Sequence, residues 1–155
     1  MITSGRFFID EATHAIRMDR RIKATPDWLF SAWVDPAQLR LWWDPSGKPL
    51  AICEVDLREG GALKLVGADA SAHAFTGIYR RIDRPHRLEF DALGAHGTVT
   101  FQPLGDFVGD VTEMVVEIRC ASAEHLAQFV QRGVADDTAT TVDNLMALAE
   151  RATAP

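Results

Sequence analysis

Near the C-terminus, two apolar stripes are separated by a polar run. Leu126, Phe129, Val130 and Val134 form the first, and Val142, Leu145, Met146, Leu148 and Ala149 form the second. Between them lies Asp136-Asp137-Thr138-Ala139-Thr140-Thr141, where a packed helix should be apolar. A buried hydroxyl or carboxylate without a partner is costly, so these side chains imply something polar beside them. If one helix runs across a sheet, Thr138, Thr141 and Asp137 are anchors for the polar part of a ligand or for water. If the helix instead breaks near Gly133 and restarts with Asp136 or Asp137 as a new N-cap, the same residues are solvated. The sequence leaves both open.

Arg20 is a second irregularity. It shares a strand face with Ile16, Met18 and Ile22, so alternation points it inward. An inward guanidinium needs an acid, a carbonyl or an anionic ligand. A salt bridge to Glu54, Asp56 or Glu113 is the plainer expectation, and ligand binding is the other. Trp28, Trp33, Trp42 and Trp43 are bunched within sixteen residues, and indoles so placed can rim an opening or wedge helices against a sheet. One of Trp42 and Trp43 is expected to touch a cavity and the other to pack. Catalytic signals are thin. His14, His73, His86, His96 and His125 are scattered without an i,i+4 pair, and no Gly-x-Ser-x-Gly, Gly-x-Gly-x-x-Gly or phosphate loop occurs. A general acid or base would be sought among His73, Tyr79 and Asp137. No catalytic residue, metal ligand or cofactor is assigned.

The elements that must position these residues are legible from periodicity and caps. Residues 14–23 alternate as a half-buried strand. Thr25-Pro26-Asp27 starts a short helix through Val34, and Asp35-Pro36 starts a second reaching Trp42-Trp43, stopped by Asp44-Pro45-Ser46-Gly47. Strands follow at 51–58, 62–66, about 73–83, 86–92, 98–103 and 110–120. The turns between them fall at Glu59-Gly60-Gly61, Gly67 to Ala72, Arg84-Pro85, Gly94 to Gly97 and Gly105 to Gly109. Spacings this short predict antiparallel neighbours. Ser122 caps a helical stretch to about Arg151, the one element long enough to cover such a sheet. A curved sheet around that helix would leave a hollow. Strand parity offers Leu88 with Phe90, Val99 with Phe101, and Met114 with Val116 for its walls, though ordinary core accounts for each as well. Within 73–83 either His73, Phe75 and Tyr79 or Ile78 and Ile82 face inward, and the aromatic face is the expected one.

The chain has 155 residues, 47% of them hydrophobic and 25% charged, with a formal net charge of −6, values that suit one globular domain. The acidic balance argues against a general nucleic-acid or anionic-membrane binder. No apolar run approaches a membrane span, and Met1 to Phe8 lacks the build of a signal peptide. Cys53 and Cys120 read as buried reduced thiols, and a cytoplasmic location is expected. The core is placed at about 14–150, with residues 1–11 expected to be flexible.

The order of elements, together with particular residues, resembles the helix-grip superfamily of START-like (SRPBCC, Bet v-like) domains. More narrowly, it resembles the branch related to the activator of the heat-shock-protein 90 ATPase, the AHSA-type domain. The residues that carry the likeness are Arg20 to Pro26, Leu29 to Pro36, Leu39 to Pro45, Glu54 to Gly61, Gly77 to Ile82 and Pro85 to Phe90. The paired tryptophans followed by Pro, and then Asp-x-Arg-x-Gly-Gly, are its most specific part. The resemblance implies an α+β fold: a curved antiparallel sheet of about seven strands wrapped around a long C-terminal helix, with two short helices after the first strand. It also marks a departure, since Asp137-Thr138 stand where relatives often carry Gly-Trp.

For function the resemblance implies a choice, because the fold hosts many activities. The leading expectation is non-catalytic binding of a small, largely apolar molecule, lipid or polyketide-like, between sheet and helix. Candidate wall and anchor residues are Arg20, Trp42, Trp43, Phe75, Tyr79, Phe90, Phe101, Met114, Phe129, Asp137, Thr138 and Thr141. The second expectation is surface-mediated stimulation of a heat-shock-protein 90 ATPase. It is weakened because eukaryotic activators carry another domain for which this chain has no room. The third is a cyclase, dehydratase or hydrolase acting on a polyketide-like substrate, which needs an ionisable residue facing the hollow. Neither nucleic acid nor membrane insertion is expected, and exposed strand edges and tryptophans are compatible with a homodimer.

Overall fold

The alternation in Ala15–Ile22 produces a strand with one buried face: Ile16, Met18 and Ile22 are buried while Arg17, Asp19 and Arg21 are exposed. The computed structural model describes residues 2–3, 6–69, 71, 73–105 and 110–153. In chain order the strands are β1 (Ile2–Thr3), β2 (Phe8–Asp10), β3 (Ala15–Ile22), β4 (Ile52–Val55), β5 (Ala62–Val66), β6 (Phe75–Asp83), β7 (Arg87–Ala92), β8 (Ala95–Pro103) and β9 (Thr112–Arg119). The helices are α1 (Pro26–Val34), α2 (Pro36–Leu39), α3 (Ala123–Gln131) and α4 (Val134–Thr153). All strands form one antiparallel sheet in the order β1-β2-β3-β9-β8-β7-β6-β5-β4. The seven strands expected from the sequence are joined by two short ones from the stretch expected to be flexible. Part of the Gly105 to Gly109 turn, and Ala70 and Ala72 of the Gly67 to Ala72 loop, lie outside the described residues.

Local chemistry sets the helix starts. Thr25 Oγ1 accepts from the Trp28 amide at 3.0 Å, and Asp35 Oδ1 accepts from the Ala37 amide at 3.0 Å, each with proline in the first turn. The second helix ends at Leu39 rather than at Trp42-Trp43. Beyond it the chain turns so that the Leu50 amide reaches Arg40 O at 2.9 Å. Ser122 Oγ accepts from the His125 amide at 3.1 Å and opens α3. The stretch after it is not one helix. Gly133 takes a φ of +83°, which a residue with a Cβ adopts only at a cost, and α4 begins directly after it with the Asp137 amide bonded to Gly133 O at 2.8 Å. Of the two alternatives, the break is the one that occurs, but the helix restarts at Val134, so Asp136 and Asp137 lie in its first turn and neither is its N-cap. The break does not simply solvate the polar run, because α4 still lies along the inner face of the sheet.

Two details set which side chains look inward. β6 carries a bulge between Tyr79 and Arg81, which leaves Arg80 without an opposite residue. The bulge shifts the strand's phase, so Tyr79 and Ile82 both pack into the core although they stand three residues apart. The expectation of one face or the other over 73–83 is therefore replaced by one face before the bulge and the other after it. The β7–β8 turn is the two-residue Leu93-Gly94, so β8 begins at Ala95, not at residue 98, and Gly97 stands opposite Phe90. A Cβ on Gly97 would sit 2.9 Å from Phe90 Cζ: the missing side chain is the space in which the ring lies.

Helix α1 fills one half of the concave face. Phe30 packs edge-on to Phe101 at 5.7 Å between ring centroids, Trp33 Nε1 donates to Met114 Sδ at 3.4 Å, and Trp42 Nε1 donates to Ala32 O at 2.9 Å. Thr112, fully buried, donates from Oγ1 to Ala24 O at 2.7 Å and ties β9 to the start of α1. On α4, Ala135, Ala139, Val142, Leu145 and Ala149 form the buried stripe. Asn144 Nδ2 donates to Asp44 O at 3.1 Å, joining that helix to the loop after α2.

Candidate functional site

The half of the concave face that α1 does not fill, next to the β7–β8 turn, remains open as a cavity of about 360 Å³. That lies at the small end of the range of ligand sites. Successive strands contribute to it by height as well as by parity. Phe90 and Ala92 come from β7, Ala95, Gly97 and Val99 from β8, and Val116 and Ile118 from β9. Phe75 enters from β6 with His73 just before it, Trp33 and Trp43 from the helical segment, and Phe129 from α3. Val134, Thr138 and Thr141 of α4 follow at i, i+4 and i+7, along one flank of its buried stripe, and Asp137 stands at the edge.

The twelve residues singled out from the sequence divide along this line. Trp43, Phe75, Phe90, Phe129, Asp137, Thr138 and Thr141 come together around the cavity. Phe101 and Met114 have the right parity but sit farther along their strands, where Phe30 and Trp33 of α1 meet them, while Tyr79 stands opposite Phe90 yet is packed into the core outside the cavity; all three are no more than 2% exposed. Trp42 packs behind Trp43 and is fully buried. Arg20 lies elsewhere altogether. It is half-buried, donates from Nη1 to Asp19 O at 2.9 Å and from Nη2 to Arg6 O, and borders a cleft against the N-terminal strands. Among the described residues it has no salt bridge to Glu54, Asp56 or Glu113: Glu113 lies 3.9 Å from Arg21 and Asp56 2.9 Å from Arg58. Pro45, Leu93 and Gly97 line the cavity and were not singled out, and Trp33, named only as one of the four bunched indoles, lines it too. Only the exact length of the β7–β8 turn would have disclosed Gly97.

The polar groups of the cavity have a definite hydrogen-bonding state. Thr138 Oγ1 donates to Val134 O at 2.7 Å, and Thr141 Oγ1 donates to Thr138 O at 2.8 Å. Both hydroxyl protons are thus engaged by the helix backbone, and the oxygens present lone pairs to the cavity. Trp43 and Phe75 are tilted against each other at 5.1 Å, and Trp33 and Trp43 meet edge-on at 6.1 Å. Glu117 borders the cavity, but its carboxylate belongs to the other face of the sheet, where Arg119 Nη2 lies 3.3 Å away. Among the described residues no group of three or more His, Cys, Asp or Glu side chains is placed to hold a metal ion.

Other features of the molecule suit a ligand less well. The cleft beside β2 and β3 is larger, about 500 Å³, but about half of its wall is charged side chains, among them Arg17, Asp19 and Glu117, which pair with neighbours, and Phe7, Phe8 and Met18 supply its apolar part. Tyr79 is a poor general acid or base, since burial, with the Cys53 thiol nearby, pushes its hydroxyl pKa well above the ordinary tyrosine range. Burial also raises both thiols: Cys120 by burial alone, and Cys53 by burial against the opposing pull of Arg40. Both cysteines are free. No helix among the described residues is long and apolar enough to cross a membrane.

Comparison with known proteins bears on the fold and the lineage. A family model described as activator of Hsp90 ATPase homolog 1-like protein matches residues 23–150. No curated protein sequence matches the chain. A solution structure of a protein from Arthrobacter aurescens superposes with a TM-score of 0.81 at 22% identity, covering 94% of this chain and 91% of that one. Protein NE0264 from Nitrosomonas europaea gives 0.79 at 19% identity, covering 95% and 100%. Protein Ms6760 from Mycobacterium smegmatis gives 0.78 at 22% identity, covering 94% and 97%. At these identities the likeness establishes the fold, and function has to be argued from the site.

Proposed function

The chain belongs to the activator of Hsp90 ATPase homolog 1-like family, and from that premise we propose that it binds a small, largely apolar molecule in the cavity between the sheet and α4, without catalysis. The observation that carries this reading is the cavity itself: about 360 Å³ walled by Trp33, Trp43, Phe75, Phe90, Val99 and Phe129, with two threonine hydroxyls on one side. Well-packed interiors do not keep such a space without cost, since apolar walls facing nothing lose dispersion contacts. A ligand would restore those contacts, and the hydroxyls would orient it. Trp33 and Trp43 make the event visible, because they lie in the wall and their fluorescence responds to an occupant.

The test is a titration with phenylbutanol, followed by tryptophan fluorescence and thermal unfolding, together with native mass spectrometry of the protein as purified. At a hundredfold excess over Kd, binding stabilises by about 2.7 kcal/mol, a rise in Tm of about 5–10 °C for a domain of this size. Thr138→Phe and Ala92→Phe, which each put a ring into the space, should abolish the response while circular dichroism stays unchanged. Binding undiminished in both filled variants would place the interaction elsewhere and overturn the reading.

A further inference from the structure

The charge and hydrogen-bonding character of the same cavity narrows the class of ligand, an inference that rests on the cavity reading above. The polar groups that α4 brings to it are acceptors. The hydroxyl protons of Thr138 and Thr141 are engaged by Val134 O and Thr138 O, at 2.7 and 2.8 Å, so each oxygen has only lone pairs to offer. Asp137 adds a carboxylate at the edge. Its neighbours on α4, Asp136 and Asp143, are approached by Arg6 at 3.7 and 3.5 Å, whereas Asp137 has no ion-pair partner among the described residues. No lysine or arginine is among the residues lining the cavity, and His73, at its edge, is the one basic side chain there.

The apolar walls point the same way. Trp43 and Phe75, with Phe90 and Phe129, bring several aromatic rings to one small space, and the negative faces of such rings attract a cation. A carboxylate ligand would meet the opposite arrangement along α4: acceptors facing acceptors, Asp137 close by, and no guanidinium or ammonium among the lining residues to balance it.

We propose that the ligand is an amine or ammonium compound with an apolar body, held with its cationic end toward Asp137 and the Thr138 and Thr141 hydroxyls and its body among the aromatic rings. The protein is thereby selective against fatty acids and other apolar anions of the same size.

The experiment compares three probes that share one body and differ in the head group: phenylbutylamine, phenylbutyrate and phenylbutanol, titrated into the wild-type protein at neutral pH and low salt. The expected order is amine, then alcohol, then carboxylate, with the amine at least about tenfold tighter than the carboxylate. Asp137→Asn should lower the affinity for the amine about threefold, the scale of one exposed charge pair, and so narrow the amine-to-carboxylate ratio. Added salt should narrow it in the same direction. Thr141→Val, which keeps the shape and removes the acceptor, should weaken the amine more than the carboxylate. Equal affinities, or a tighter carboxylate, in a protein that binds the alcohol would overturn this inference and leave the cavity reading standing. Failure of all three probes, the alcohol included, would overturn the cavity reading and this inference with it.

Discussion

Replacing Tyr79 by Phe should stabilise the protein, which is the opposite of what deleting a buried polar group usually does. The ring is 1% exposed, and its hydroxyl has no hydrogen-bond partner among the described residues. The backbone around it is firmly held, with the Tyr79 amide donating to Gly61 O at 2.9 Å and the Gly60 amide donating to Tyr79 O at 2.7 Å. Phenylalanine therefore inherits the same ring position, and only the hydroxyl is lost. A buried hydroxyl left unsatisfied costs about 1–3 kcal/mol, and removing it should return about 1–2 kcal/mol of that after the small cavity it leaves is counted. With a urea m-value of about 2 kcal/mol/M, the midpoint should rise by about 0.5–1 M at unchanged slope. Urea titration followed by circular dichroism reads this directly. Ligand binding should be unaltered, because the ring lies outside the cavity wall. A midpoint lowered by a similar amount would refute the reasoning, since it would mean that the hydroxyl has a partner, such as a bound water, whose loss outweighs the desolvation.

Two further substitutions follow from the same kind of reading. His96 on β8 lies between two carboxylates, with Nδ1 2.6 Å from Asp91 and Nε2 2.8 Å from Glu89. Partial burial opposes its charge, but the two hydrogen bonds outweigh that and hold its pKa above the ordinary histidine value. A raised folded-state pKa means that its stabilisation is complete below the unfolded value of about 6.5 and is lost as pH rises through the folded value. His96→Gln should thus lower the urea midpoint at pH 6 and leave it unchanged at pH 9. The effect is about 0.5 kcal/mol because the side chain is 40% exposed, and a larger loss at pH 9 than at pH 6 would refute it. Leu93 holds a φ of +55° at the β7–β8 turn while 58% exposed. Leu93→Asn, which tolerates that conformation, should gain about 1 kcal/mol, or about 2–4 °C in Tm. It should also weaken binding at the cavity edge, and a lowered Tm measured by calorimetry would count against this account.

What was legible in the sequence was local. The caps at Thr25, Asp35 and Ser122 each use a side-chain oxygen on an amide two or three residues ahead, so the helix starts could be read without any knowledge of the rest. Alternation in 15–22 and 112–119 reported a sheet with one buried face, and the polar interruption at Asp137, Thr138 and Thr141 drew attention to residues that do meet at the cavity. Parity along a strand tells which face a residue takes, but not how far along that face another element reaches. For that reason Phe90 and Leu88, or Val116 and Met114, read alike although α1 buries one of each pair in the core and leaves the other at the cavity. Parity also fails at a bulge, which adds a residue without a compositional mark, as at Arg80. The break at Gly133 and the carbonyl partners of Arg20 depended on where the chain had to pass over the sheet and on which groups the N-terminal strands brought near. The sequence by itself determined most of the elements, and the inward faces wherever no bulge intervenes. Tertiary structure decided which part of the inward face is packed solid and which stays hollow, because that depends on the reach of a helix across the sheet and not on the residues of any one strand.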